Sequence, residues 1–204
     1  MMKRNVYSMI AATALIAAIA GAACAGDEFN RPGPYIGLGA AGGLTNFSGA
    51  LSGFSNSPGF NFRTGYRFND YMAIEGLYEY MDDFGNSRTS RDQGVKTSAS
   101  IQTNNFTLAA KAILPTLGIP QLQPFLSGGI GLLNANGTGR LSVGSEMVKR
   151  TPSTTEFAGR VDGGVDYFLT REVSTFFDVG YVIPTGELSS MPYLSLSAGV
   201  KYNF

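Results

Sequence analysis

The stretch Tyr193-Leu194-Ser195-Leu196-Ser197-Ala198-Gly199-Val200-Lys201-Tyr202-Asn203-Phe204 closes the sequence and alternates without a break. Leu194, Leu196, Ala198, Val200, Tyr202 and Phe204 form one set of alternate positions, apolar throughout. Tyr193, Ser195, Ser197, Gly199, Lys201 and Asn203 form the other, mostly small or polar. Successive side chains of a strand point to opposite faces, so this period of two predicts a β-strand with one apolar face.

The same split recurs upstream. Phe60, Phe62, Thr64, Tyr66 and Phe68 oppose Asn61, Arg63, Gly65 and Arg67. Met72, Ile74, Gly76, Tyr78 and Tyr80 oppose Tyr71, Ala73, Glu75, Leu77 and Glu79. Phe106, Leu108, Ala110 and Ala112 oppose Asn105, Thr107, Ala109 and Lys111. Phe157, Val161, Val165 and Tyr167 oppose Ala158, Arg160, Asp162, Gly164 and Asp166. Val173, Thr175, Phe177, Val179, Tyr181 and Ile183 oppose Ser174, Phe176, Asp178 and Gly180. Segments 35–45 and 124–133 alternate more weakly, because glycine dilutes both faces. Helical periodicity is scarce. The sum is eight strands. Their connections alternate between long or polar ones (46–59, 82–100, 134–154 and the shorter 184–191) and tight ones (Asn69-Asp70, 115–123, 169–171). An even number of strands with alternating long and short links predicts an all-β, eight-stranded antiparallel up-and-down transmembrane β-barrel.

The charged face decides which side is inside. Arg63, Arg67, Lys111, Arg160 and Lys201 lie on the polar faces together with Glu75, Glu79, Asp162, Asp166 and Asp178. A soluble barrel would turn these ten outward and fill its interior with the rings of the other face. An eight-stranded interior has little room for so many rings. Inverted, the rings meet lipid and the ten charges form a neutral lumen network, tolerable when paired. Inward glycines at 37, 39, 65, 129, 131, 164, 180 and 199 leave room for the long charged side chains.

The first 25 residues read as an address. Lys3 and Arg4 precede an apolar run from Met9 to Ala20, and Ala23 and Ala25 supply small residues for cleavage after Ala25. A spanning helix would need about 20 apolar residues, more than this run offers. Lipid attachment at Cys24 is disfavoured because Gly21 stands where such signals carry a larger aliphatic residue. The expected division is a cleaved secretory signal over 1–25 and a barrel domain over 26–204. The mature chain loses Lys3 and Arg4 from the 15 basic residues, keeps all 15 acidic ones, and has no cysteine.

On these residues the sequence resembles the small Gram-negative outer-membrane barrels of the OmpA/OmpX type. Gly65-Tyr66-Arg67-Phe68-Asn69-Asp70-Tyr71-Met72-Ala73-Ile74-Glu75 is similar to that family's second strand, turn and third strand. Pro124-Phe125-Leu126-Ser127-Gly128-Gly129-Ile130-Gly131 is similar to its fifth. The C-terminal pattern of Gly199, Tyr202 and Phe204 resembles the signal read by the barrel assembly machinery. The resemblance implies insertion by that machinery into the bacterial outer membrane. Since the sequence stops at the last strand, the periplasmic peptidoglycan-binding domain of full-length OmpA-type proteins is not expected.

Other readings are set aside. Gly37-Leu38-Gly39-Ala40-Ala41-Gly42 spells a dinucleotide fingerprint, but no helix pattern or later acid supports it. With no histidine in 204 residues, histidine-based triads, acid–base pairs and metal sites cannot be built. Barrel enzymes of this compartment resemble one another in relying on histidine, so no enzyme is expected. Asp82-Asp83 reads as a solvated rim rather than a cation site. The balanced charge argues against nucleic-acid binding. The expectation is a non-enzymatic integral outer-membrane protein with a charge-plugged lumen and no cofactor. It contributes to envelope integrity and makes surface contacts through its loops. The alternative is a narrow porin-like channel for ions or small solutes. Expected partners are outer-membrane lipid, lipopolysaccharide and the assembly machinery, for a monomeric barrel.

Overall fold

The computed structural model describes residues 29, 31–45, 56–90, 95–114, 119–143, 146–150 and 152–204. The signal stretch with Ala23 and Ala25, and most of connection 46–59, lie outside the described residues.

The strands are β1 (Gly33–Thr45), β2 (Ser57–Arg67), β3 (Met72–Ser90), β4 (Val95–Ile113), β5 (Leu122–Val143), β6 (Glu146–Arg150), β7 (Ser153–Phe168), β8 (Val173–Pro184) and β9 (Tyr193–Asn203). Each wall strand pairs antiparallel with its neighbours, and β4 pairs β5 to complete the circuit. The wall has eight strands, β1–β5 and β7–β9. β6 is a short addition paired with Gly139–Val143 of β5. The first and last strands close the barrel from Tyr35↔Asn203 to Thr45↔Tyr193. Closure pairs the backbone amides along the wall, as hydrocarbon requires, since each unpaired group costs several kcal/mol there.

Two stretches expected to be connections are strand instead. β3 and β4 stay paired past the wall up to Ser90↔Val95, and β5 runs on to Val143 before folding back as β6. The reach of 82–100 and 134–154 is therefore built from rising hairpins, because serine, threonine and glycine backbones pair as well as apolar ones do. A bulge between Met81 and Phe84 leaves Asp82 and Asp83 exposed and returns Phe84 to the interior.

The two faces sort by solvent. Ile130 is 75% exposed and Phe157 69%, whereas Arg63 is 2% exposed and Glu79 is fully buried. A water-soluble barrel would show the reverse, so the apolar exterior is the lipid-facing surface. At the seam between β1 and β9, Gly39 faces Gly199 across the ladder. The Phe176 ring lies against both: a Cβ on Gly39 would come within 2.6 Å of its Cζ, and one on Gly199 within 2.7 Å of its Cε1. Only glycine lets that ring press against the seam.

Candidate functional site: a charged lumen beneath an apolar stopper

All ten charged side chains assigned to the polar faces are buried inside the barrel. Nine of them form three clusters, and Arg67 stands apart from these at the turn end. Nearest the long hairpins, Arg160 places Nη1 3.0 Å from Glu79 Oε1 and Nε 2.6 Å from Asp162 Oδ1. Glu79 also accepts hydrogen bonds from Ser195 Oγ at 2.6 Å and the Tyr193 hydroxyl at 3.0 Å. Ser127 donates to Asp162 Oδ2 at 3.2 Å. Room for the guanidinium comes from Gly180, where a Cβ would stand 2.7 Å from Arg160 Nη2.

Below it, Arg63 places Nη2 2.7 Å from Asp178 Oδ2 and Nη1 3.5 Å from Glu75 Oε1. The Tyr35 hydroxyl donates to Glu75 Oε2 at 2.9 Å, and the Arg63 guanidinium lies 4.2 Å from the Phe176 ring centre. Lower still, Asp166 is shared by two ammonium groups, Lys111 at 2.7 Å and Lys201 at 2.5 Å. Lys111 also stands 3.6 Å from the Phe125 ring centre, a distance at which the ring face attracts a cation. Arg67, at the end with the short turns, donates to several carbonyl oxygens. Its partners include Asn69 O, Phe29 O, Asp70 O and Gln123 Oε1, at 2.9–3.3 Å.

No cluster balances by itself. Arg160 and Arg63 each face two carboxylates, Lys111 and Lys201 together face one, and Arg67 faces carbonyl oxygens. The five cations and five anions nevertheless cancel along the axis, with the anionic excess towards the hairpins and the cationic excess towards the turns.

Above the clusters sits an apolar plate that period-two reading does not reveal. Ala41, Met81, Phe84, Ile101, Leu133, Ala135, Ala158, Val182, Leu188, Met191 and Tyr193 form one buried cluster across the lumen. Leu188 and Met191 come from the β8–β9 connection, which turns inward through a 3-10 turn, Gly186–Leu188. The turn is fastened at both ends. Thr185 donates from N and Oγ1 to Phe157 O at 2.8 and 2.9 Å, and the Glu187 amide donates to Glu156 Oε1 at 3.3 Å. Gly186 has φ +58°, the left-handed region that glycine enters freely. Tyr35, Phe125 and Phe176, whose strands alternate weakly or mix types, are further interior rings that sequence reasoning did not assign to the lumen network.

Of the terminal pattern, Gly199 points into the seam, while Tyr202 and Phe204 are exposed on the outer wall with ring centres 5.0 Å apart. Gly37 to Gly42 lies within β1, so this glycine run heads no helix. Glu75 and Glu79 are engaged by Arg63 and Arg160. No group of acidic or cysteine side chains among the described residues is arranged to hold a metal ion.

A closed barrel with apolar rings outside, a neutral ion network inside and long hairpins at one end defines an integral membrane protein of the outer-membrane type. The sequence matches the outer membrane protein beta-barrel domain family over residues 11–204, and the chain belongs to that family. Its place is the bacterial outer membrane. Among solved structures it is similar to OprG of Pseudomonas aeruginosa (16% identity, TM-score 0.58, covering 88% of this chain and 99% of that one). Neisserial surface protein A is similar at 20% identity and TM-score 0.55, covering 84% and 97%. Ail of Yersinia pestis is similar at 15% identity and TM-score 0.55, covering 85% and 99%. At these identities the likeness is one of fold. No curated protein sequence matches the chain.

Proposed function

We propose that this is a non-enzymatic structural barrel of the outer membrane whose lumen is sealed, contributing to envelope integrity and offering its raised hairpins for surface contact. The observation that carries the reading is the stopper over the ion network: Leu188 and Met191 fill the hairpin-side mouth above clusters whose charges are already paired. The geometry supplies binding energy to the fold and keeps the ten lumen charges buried. Residues 1–25 act as the export signal, and Gly199, Tyr202 and Phe204 as the assembly signal, within the same reading.

Single-channel recording of the folded protein in a planar bilayer tests it. The sealed barrel predicts silence. Steady openings from the unmodified protein would overturn the reading in favour of a narrow channel, in which the stopper and the ion pairs both move. Mass spectrometry of protein from bacterial membranes tests the signal, with a mature N-terminus expected at Gly26.

A further inference from the structure

The outer wall changes character abruptly on four neighbouring strands. Tyr78, Phe106, Leu132 and Phe157 stand opposite one another on β3, β4, β5 and β7. One outward position higher, the row becomes Tyr80, Asn104, Asn134 and Thr155. One higher again on β4, β5 and β7, it is Gln102, Asn136 and Ser153. Side chains bind these rows together. The Tyr78 hydroxyl donates to Asn104 Oδ1 at 2.8 Å, Asn136 Nδ2 to Asn134 Oδ1 at 2.7 Å, and Asn134 Nδ2 to Thr155 Oγ1 at 2.8 Å. At the other end Gln102 Nε2 donates to Asp82 Oδ1 at 3.2 Å. The amides are half-buried, and the rings beneath them are open, Phe106 at 63% exposure. On the far half of the wall, β8, β9 and β1 end instead in aliphatic Ile183, Leu194 and Leu44.

We propose that this strip binds lipopolysaccharide through its sugars. A ligand that covers both levels must carry acyl chains for Phe106, Leu132 and Phe157 and hydroxyls for the amides in one molecule, which describes a glycolipid of the outer leaflet. Each carboxamide has two donors and a two-lone-pair acceptor, more capacity than the ladder itself consumes, and its fixed orientation lowers the ordering entropy of binding. Neither row contains lysine or arginine, and Asp82 and Asp83 stand at one end. The recognition is therefore of neutral hydroxyls rather than phosphates. This site is independent of whether the lumen is sealed.

The test is thermal unfolding of the full folded protein in phosphatidylcholine vesicles containing a minor share of either lipid A or core-bearing lipopolysaccharide. The heat-modifiable gel shift is the readout. Binding to the native state raises its midpoint. The expected result is a midpoint about 3 °C or more higher with core sugars than with lipid A alone. That gain should vanish in Asn104→Leu/Asn134→Leu and persist in Leu194→Asn on the far half. An equal gain from lipid A, or a gain kept by the double variant, overturns the proposal. If the double variant does not fold, a photoreactive phenylalanine at Gln102 should crosslink to the lipopolysaccharide in preference to one at Leu44, and equal yields overturn it.

Discussion

Arg160, like Arg63, balances two acids at once, its guanidinium bridging Glu79 and Asp162. Arg160→Met would leave both carboxylates buried without their counter-ion. A broken buried pair costs about 3–5 kcal/mol, and the loss should be read as a lowered urea midpoint in detergent or vesicles. Arg160→Lys should recover only part of it, since an ammonium is a point charge without the planar fork that reaches two strands' acids. Lys201→Met should destabilise less than Arg160→Met, because Asp166 keeps Lys111. At this scale much was legible: strict alternation assigned ten charges to one face each. Which cation meets which anion was not, because partners such as Arg63 and Asp178 sit on β2 and β8 and are joined only by curvature across the lumen.

Among the elements, the β8–β9 connection turns an open mouth into a closed one. Leu188→Gln together with Met191→Gln replaces the two apolar side chains it inserts. Planar-bilayer recording should then show openings that the unmodified protein lacks. The axial ordering of charge adds a second expectation. The hairpin-side clusters hold an excess of carboxylates, so the openings should favour cations, measured as the reversal potential across a KCl gradient. The stopper was hidden from sequence reading for a physical reason. Leu188 and Met191 lie in a connection with no period, and the bulge after Met81 shifts Phe84 out of phase. The upper halves of β3, β4 and β5 were hidden for another. Alternation marks a strand only where apolar and polar residues take turns along it, and in 85–100 and 134–143 small and polar residues mostly fill both sets of positions.

For the whole molecule, lipid outside and ions inside must be reached together, since neither face is stable until the circuit is complete. Closure joins Tyr35 to Asn203, partners separated by most of the chain. Bringing such distant segments together carries a large loop-closure entropy before any ladder bond rewards it, so the seam is the slow event of assembly. The facing pair Gly39 and Gly199 then takes on a kinetic meaning. At this one facing pair neither residue carries a side chain, so the two backbones and the Phe176 ring come together with no Cβ between them. Gly199→Val should therefore trap an unclosed, protease-sensitive intermediate during refolding into vesicles, visible as a persistent unshifted gel band. The same valine at outward Gly128, where a Cβ meets nothing within 4 Å, should leave the refolding rate unchanged. The gap this glycine pair leaves beneath Phe176 is what makes the seam a latch that can engage last.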